Sequence, residues 1–279
     1  MTRDSIFTTK RGNRIQLSLY GYDLQNTAPC IVYLHGFKGF KDWGFVPPTG
    51  KYFETQGFRF LAMNFSHNGI GDDPLAFTEL DKFRDNTFSL EVEEAVAVVN
   101  AFAEGRLFQV PEGSRMGLLG HSRGGGIALL AGAQLEAVSA VCTWAAVSTF
   151  KRYPDEVIER WKKDGVLEVK NSRTGQVMEL GWNLHADLMK NIEEGLNIER
   201  AVREMGKPVS VLHGTEDLAV GVQDGRNIAE WAGENLDGLH ILEGAGHTFG
   251  ARHPFSGGDH FMDAVWGHTL DFFKRHLKD

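Results

Sequence analysis

The sequence predicts an α/β protein with a mostly parallel central sheet, helices on both faces, an N-terminal antiparallel hairpin and one small lid insert. Three observations carry this expectation. Short apolar runs ending in glycine, such as Cys30 to Gly36 and Pro208 to Gly214, alternate with segments of helical period. Those runs are mostly apolar and lack polar alternation, as strands buried on both faces do. Repeated strand–helix alternation implies right-handed crossovers within one sheet. The 279 residues are therefore expected to form a single domain, 1–279, with a lid or cap inserted at 148–205.

The elements follow in order. "SIFTT" and "RIQLSLYGY" flank the turn signal "KRGN" and read as a hairpin. "CIVYLHG" and "FRFLAMNF" read as buried strands, with a short helix at "GKYFETQG" between them. In "DNTFSLEVEEAVAVVNAFAEG", Ala95, Val98, Val99 and Phe102 recur at i, i+3, i+4 and i+7, one face of a helix. "RMGLLGH" is a strand, "GIALLAGAQ" a helix, and "AVSAVCTWAAV", "PVSVLHG" and "GLHILEG" are further strands. A last helix puts Met262, Val265, Trp266, Leu270 and Phe273 on one face. Between Val147 and Pro208 the alternation stops. There "PDEVIERWKKDG" reads as a helix from Pro154 to Gly165, and "VLEVKNSRTGQVMEL" as a hairpin turning at Asn171 to Gly175. "LHADLMKNIEEG" and "NIERAVREMG" read as short helices.

Composition removes several function classes. The formal net charge of -8 argues against a nucleic-acid partner, which needs a basic surface. No apolar run approaches the roughly 20 residues of a membrane span, so no membrane partner is expected. The two cysteines, Cys30 and Cys142, lie in strand-like runs and read as inert buried thiols, too few for a disulfide or metal framework. "MTRDSIFTTKRGNRIQL" lacks a secretory apolar region, and a reducing cytoplasm is the expected location.

The chemistry concentrates at Gly120-His121-Ser122-Arg123-Gly124, a G-x-S-x-G pattern. With 33 glycines in the chain the bare pattern is weak. Its place between a strand and a helix is not, because a nucleophilic serine is held up on such a turn. A serine hydroxyl needs a base, and the base needs an orienting acid. In the order Ser, acid, His, the candidates are Ser122, Asp217 and His247, with Glu216 as rival to Asp217. Asp217 and His247 each follow a strand end, where an open parallel sheet displays functional groups. The oxyanion hole needs two backbone N–H donors. Arg123, after the serine, and Phe37, in "HGF", are the expected pair. A zinc site from His247, His253 and His260 is disfavoured by their spacing, and neither a metal nor an organic cofactor is expected.

These residues together resemble the α/β-hydrolase superfamily: "HGF" at 35–37, "GHSRGG" at 120–125, "HGTED" at 213–217 and "GAGH" at 244–247, in that order. The chain looks most like bacterial serine esterases related to cinnamoyl/feruloyl esterases and dienelactone hydrolases. Dienelactone hydrolases proper use cysteine where this sequence has Ser122. The resemblance implies Ser122 as nucleophile, His247 as general base then acid, Asp217 as orienting carboxylate, and the insert as substrate lid. It implies hydrolysis of a small-molecule carboxylic ester, aromatic (cinnamoyl-type) or short-chain. The alternatives are an acyl-peptidase or aminopeptidase-like amide hydrolase and a non-catalytic ligand-binding protein of the same fold.

Four further expectations concern the surroundings. Phe150, Tyr153, Trp161 and Trp182 either line the cleft or pack the insert onto the core. Lys38, Lys41 and Asp42 read as a solvated loop anchored by Trp43 and Phe45. "SHNGIGDDP" reads as a loop at the edge of the site, and Asp72 or Asp73 is a candidate partner for Arg123.

Overall fold

The computed structural model describes residues 1–110, 113–257 and 260–278. The chain begins with β1 (Arg3–Thr8) and β2 (Arg14–Tyr20), then β3 (Cys30–Leu34), α1 (Val46–Thr55) and β4 (Arg59–Met63). Next come α2 (Leu80–Asp85), α3 (Phe88–Ala103), β5 (Met116–His121), α4 (Arg123–Gln134) and β6 (Val138–Trp144). The insert contains α5 (Asp155–Asp164), β7 (Val166–Lys170), β8 (Val177–Gly181), α6 (Trp182–Asn191) and α7 (Ile198–Glu204). The chain then returns through β9 (Val209–Gly214), α8 (Val222–Ala232), β10 (Leu236–Leu242) and α9 (His260–Leu277).

Eight strands form one sheet in the order β1-β2-β4-β3-β5-β6-β9-β10. β1 and β2 make the antiparallel hairpin, β2 pairs antiparallel with β4, and all pairs from β4 to β10 are parallel. All five residues of β3 are buried, which is why the strand is apolar without alternation. Its side chains still divide by parity. Cys30, Val32 and Leu34 enter one apolar cluster with α3, α4 and α8, whereas Ile31 and Tyr33 enter another with α1 and α9. Both cysteines are buried free thiols within these clusters.

Two helices, α2 and α8, escape the sequence reading. The buried residues of α8 are Gly225, Ile228, Ala229 and Ala232. Their spacing is helical, but three of the four are glycine or alanine, so the apolar signal is faint. The insert matches its reading more closely. Pro154 caps α5 at the start, and Gly165, in the left-handed conformation at φ 76°, ends it. β7 and β8 pair in their own two-stranded sheet from Val166↔Gly181 to Lys170↔Val177. Trp161 is buried and donates its indole N–H to the Leu180 carbonyl at 2.8 Å.

Among the described residues, no helix is long and apolar enough to cross a membrane.

Candidate active site

Ser122 sits between β5 and α4 at φ 58°, ψ -122°, a strained conformation for a residue with a side chain. Its backbone is held by a hydrogen bond from its N–H to Trp144 O, 2.9 Å, and its carbonyl accepts from Val147 N, 3.2 Å. The turn is so tight that a Cβ on Gly120 would overlap the Gly124 carbonyl, and one on Gly124 would overlap that of Leu34. Glycine at these two positions is therefore a steric requirement of the elbow.

The loops after β9 and β10 converge on this turn. The Ser122 hydroxyl lies 3.0 Å from His247 Nε2, and His247 Nδ1 lies 2.7 Å from Asp217 Oδ2. With Nδ1–H donating to the carboxylate, Nε2 is left to accept the serine proton. The other carboxylate oxygen of Asp217 accepts from the N–H groups of Ala219, 2.9 Å, and Val220, 2.8 Å. Glu216 is exposed, and of the two acids it is Asp217 that hydrogen-bonds His247. Burial alone would raise the Asp217 carboxyl, but hydrogen bonds from His213 and His247 outweigh it and hold the group well below the usual carboxylate range.

The loop carrying Phe37 passes directly beside the serine, since a Cβ on Gly36 would be 2.8 Å from Ser122 Cβ. His35 fixes that loop from beneath. Its Nδ1–H donates to Gly36 O at 2.9 Å, while Nε2 accepts from Phe65 N at 3.2 Å. The Gly36 carbonyl and the Phe37 N–H belong to one planar peptide, so the first bond also orients the second group. Arg123 begins α4, where helix geometry leaves the N–H without an intrahelical acceptor.

Four supporting side chains, His35 among them, were not singled out by sequence reasoning. His121 Nε2–H donates to the carbonyl of His247 at 3.0 Å, bracing the loop that carries that imidazole. Burial pushes His121 down to about 3 and His35 to about 4, so both are neutral braces. His213 Nε2 lies 3.5 Å from Asp217 Oδ2 and donates to Val220 O at 2.9 Å. Glu91 partners Arg123, with Nη1 to Oε1 at 3.4 Å, and also accepts from Asn86 Nδ2 at 2.7 Å. Glu91 lies four residues before Ala95, on the apolar stripe of α3. A carboxylate on a buried face signals a buried partner.

Glu91 replaces Asp72 and Asp73 as the partner of Arg123, correcting the earlier expectation. The loop from Ser66 turns through Asn68 and leaves both aspartates exposed. The Arg123 guanidinium instead lies between the rings of Phe37, 4.4 Å away, and Phe88, 5.0 Å away. A second correction concerns Lys41, which is buried and donates to Ser18 Oγ, 2.9 Å, and Asp42 Oδ2, 2.7 Å. Phe45 is buried and Trp43 packs edge-on against it, as the anchoring role requires.

Ser122 and His247 stand where two clefts meet. One, of about 400 Å³, runs past Phe40, Trp43 and the hairpin tip at Asn171 to Arg173. The other, of about 540 Å³, is walled by Phe88, Phe150 and Tyr153. The aromatics of the insert therefore divide. Phe150 and Tyr153 face the cleft, while Trp161 and Trp182 pack against each other, 6.0 Å apart, away from both clefts. His253 lines the first cleft and accepts from Gly44 N at 2.8 Å. His260 stacks on Phe261 at the start of α9, and the described residues contain no group of three potential metal ligands.

No family model and no curated protein matches the sequence. Solved structures do match over at least 99% of this chain. Est1E from Butyrivibrio proteoclasticus, solved with ferulic acid bound, aligns with TM-score 0.71 at 19% identity, covering 99% of this chain and 100% of that one. The α/β hydrolase GrgF from Penicillium sp. sh18 aligns with TM-score 0.70 at 21% identity, covering 100% of both chains. This chain has the α/β-hydrolase fold. A puromycin-hydrolysing peptidase from Mycobacterium tuberculosis aligns with TM-score 0.69 at 16% identity, over 99% of this chain and 39% of that one. Within the α/β-hydrolase fold, the sheet edge that carries Ser122 and the loops after β9 and β10 is the face where the two clefts open.

Proposed function

We propose that this chain is a serine hydrolase that cleaves carboxylic esters through an acyl-enzyme. The observation that carries the reading is the hydrogen-bonded line from Ser122 Oγ through His247 to Asp217, set at the junction of two clefts. Ser122 Oγ attacks the ester carbonyl as His247 Nε2 takes its proton. The oxyanion is received by the N–H groups of Phe37 and Arg123. His247 then protonates the departing alkoxide, and a water molecule, deprotonated by the same nitrogen, releases the acid. Asp217 stays ionised and holds the imidazole in the tautomer that leaves Nε2 open. The two clefts offer separate space for the acyl and alcohol portions, and Phe88, Phe150 and Tyr153 make one of them aromatic, which suits a planar acyl group.

Cleavage of an aminoacyl amide, suggested by the puromycin-hydrolysing neighbour, is the weaker reading. An amino terminus calls for an acidic side chain, and among the described residues neither cleft lining includes one. The test is hydrolysis of 4-nitrophenyl acetate and butyrate, together with labelling by a serine-reactive fluorophosphonate. Activity and labelling that both vanish in Ser122→Ala support the reading. Full activity in that variant overturns it. An aminoacyl amide turned over faster than any ester would transfer the mechanism to amides.

A further inference from the structure

The lining of both clefts is cationic on a chain whose net charge is -8. Lys38, Arg173 and Arg252 line one cleft, and Lys38, Arg123 and Arg152 line the other. Among the described residues, no aspartate or glutamate lines either. Some of this charge is compensated from behind, Arg123 by Glu91 and Arg152 by Asp224. Arg173 donates to the Leu75 carbonyl, and Arg173 and Arg252 are exposed to solvent.

Lys38 differs from these. It lines both clefts, as do Ser122 and His247. It is half-buried, and among the described residues it has no carboxylate within ion-pair distance. Its ammonium donates to the neutral Lys170 carbonyl at 3.1 Å and lies 5.3 Å from the Phe37 ring. Its backbone is left-handed, φ 58°, immediately after the proposed oxyanion donor Phe37. The loop thus accepts strain at the residue that brings an uncompensated cation to the reacting centre. Burial pushes the Lys38 ammonium down, and the charge of Arg123 adds to that effect. A bound anion would relieve both.

We infer that the substrate is an anionic ester, one bearing a carboxylate besides the scissile ester, and that Lys38 binds that carboxylate. This inference rests on the ester-hydrolase reading and names its substrate class. The anion can sit on the acyl or on the alcohol side, because Lys38 borders both clefts. Lys38 is a binding residue here and takes no part in proton transfer.

Two matched pairs test the inference. On the acyl side, 4-nitrophenyl hydrogen adipate is compared with its neutral methyl ester. On the alcohol side, 3-carboxyphenyl butyrate is compared with phenyl butyrate. The carboxylate-bearing member of one pair is expected to have a kcat/KM about tenfold higher, mainly through KM, an amount equal to about 1.4 kcal/mol. Added sodium chloride should shrink the ratio. Lys38→Met should bring it to one, and Lys38→Arg should retain it. If Lys38 serves only to hold the hairpin tip through Lys170, both members of each pair will change alike. That result, or a wild-type ratio of one or less in both pairs, overturns the inference. Calorimetric binding of the same esters to Ser122→Ala separates the two readings. A preference for the anion without turnover in wild type would sink the hydrolase reading alone. Turnover without preference would sink the anionic-substrate reading alone.

Discussion

Ser122 and Trp161 occupy two regions built under different constraints. Around Ser122 the backbone passes so closely that glycines at 120 and 124 are required, and the serine itself is held at a positive φ. Around Trp161 the insert packs by ordinary burial, its side chain seated with Leu180 and Leu184 in the same apolar cluster that covers the sheet. The insert is joined to the body by side chains meeting backbone. Asn183 Nδ2 reaches Asp85 O and Asn86 O at 2.8 and 3.0 Å, Asp187 accepts from Ser89 N at 2.9 Å, and Gln176 reaches Phe77 O at 3.0 Å. At the sheet edge, geometry specifies residues one by one. In the insert, packing specifies volume and polarity and tolerates exchange.

The contrast is broken if chemistry and stability respond to the same substitutions. The largest separation is expected at Ser122→Ala, which should cost roughly a million-fold in kcat on 4-nitrophenyl butyrate. It should leave the thermal midpoint of wild type in place or raise it, since no buried bulk is removed. Asp217→Asn follows, with a loss of about ten-thousand-fold in kcat, because the amide oxygen takes the place that accepts from Ala219 and Val220 N–H and leaves the NH2 donating to His247 Nδ1, which favours the wrong tautomer. Glu216→Gln, one residue away and exposed, is expected to have kinetics like wild type. Trp161→Ala should invert the pattern, destabilising by about 3–5 kcal/mol in denaturant titration. Its kcat on a small ester such as 4-nitrophenyl acetate should stay close to wild type.

The smallest effect sharpens the comparison through pH. His35 and His121 are held near 4 and 3, below the roughly 6.5 of the unfolded chain. Between those values the unfolded chain binds protons that the folded one does not. Their stabilising contribution is whole above about pH 6.5 and is lost progressively as pH falls toward the folded values. The thermal midpoint should therefore be level near pH 8 and decline below pH 6.5, with a shallower decline in His121→Asn. Asp217 adds to the loss only below about pH 4, because its carboxyl is depressed in the fold.

Much of this arrangement is written locally. The strand–turn–helix around Ser122, the strand ends before Asp217 and His247, and the "HGF" loop are each readable within about ten residues. Each depends on short-range backbone geometry, which is local to the chain. The cap of α5 and the turn of the β7–β8 hairpin are legible for the same reason. What lay between the motifs was less so. Asp72 and Asp73 have the right charge for Arg123, yet Asn68 turns their loop outward and Glu91 takes the place. Lys41 looks like solvated loop and is buried, because Ser18 on β2 lies beside it. α8 hides its face in alanine and glycine.

The sequence by itself determined the strand–helix order, the placing of Ser122, Asp217 and His247 just beyond strand ends, and the backbone demands met by glycine at the turn around Ser122. Periodicity and turn chemistry act over a few residues, so one dimension suffices to read them. Only the tertiary structure decided that Ser122 meets His247 at 3.0 Å and His247 meets Asp217 at 2.7 Å, that Glu91 underlies Arg123, and that Lys38 faces two clefts with no carboxylate beside it among the described residues. Those outcomes depend on which distant loops meet across the sheet edge, and that is set by packing over the whole domain.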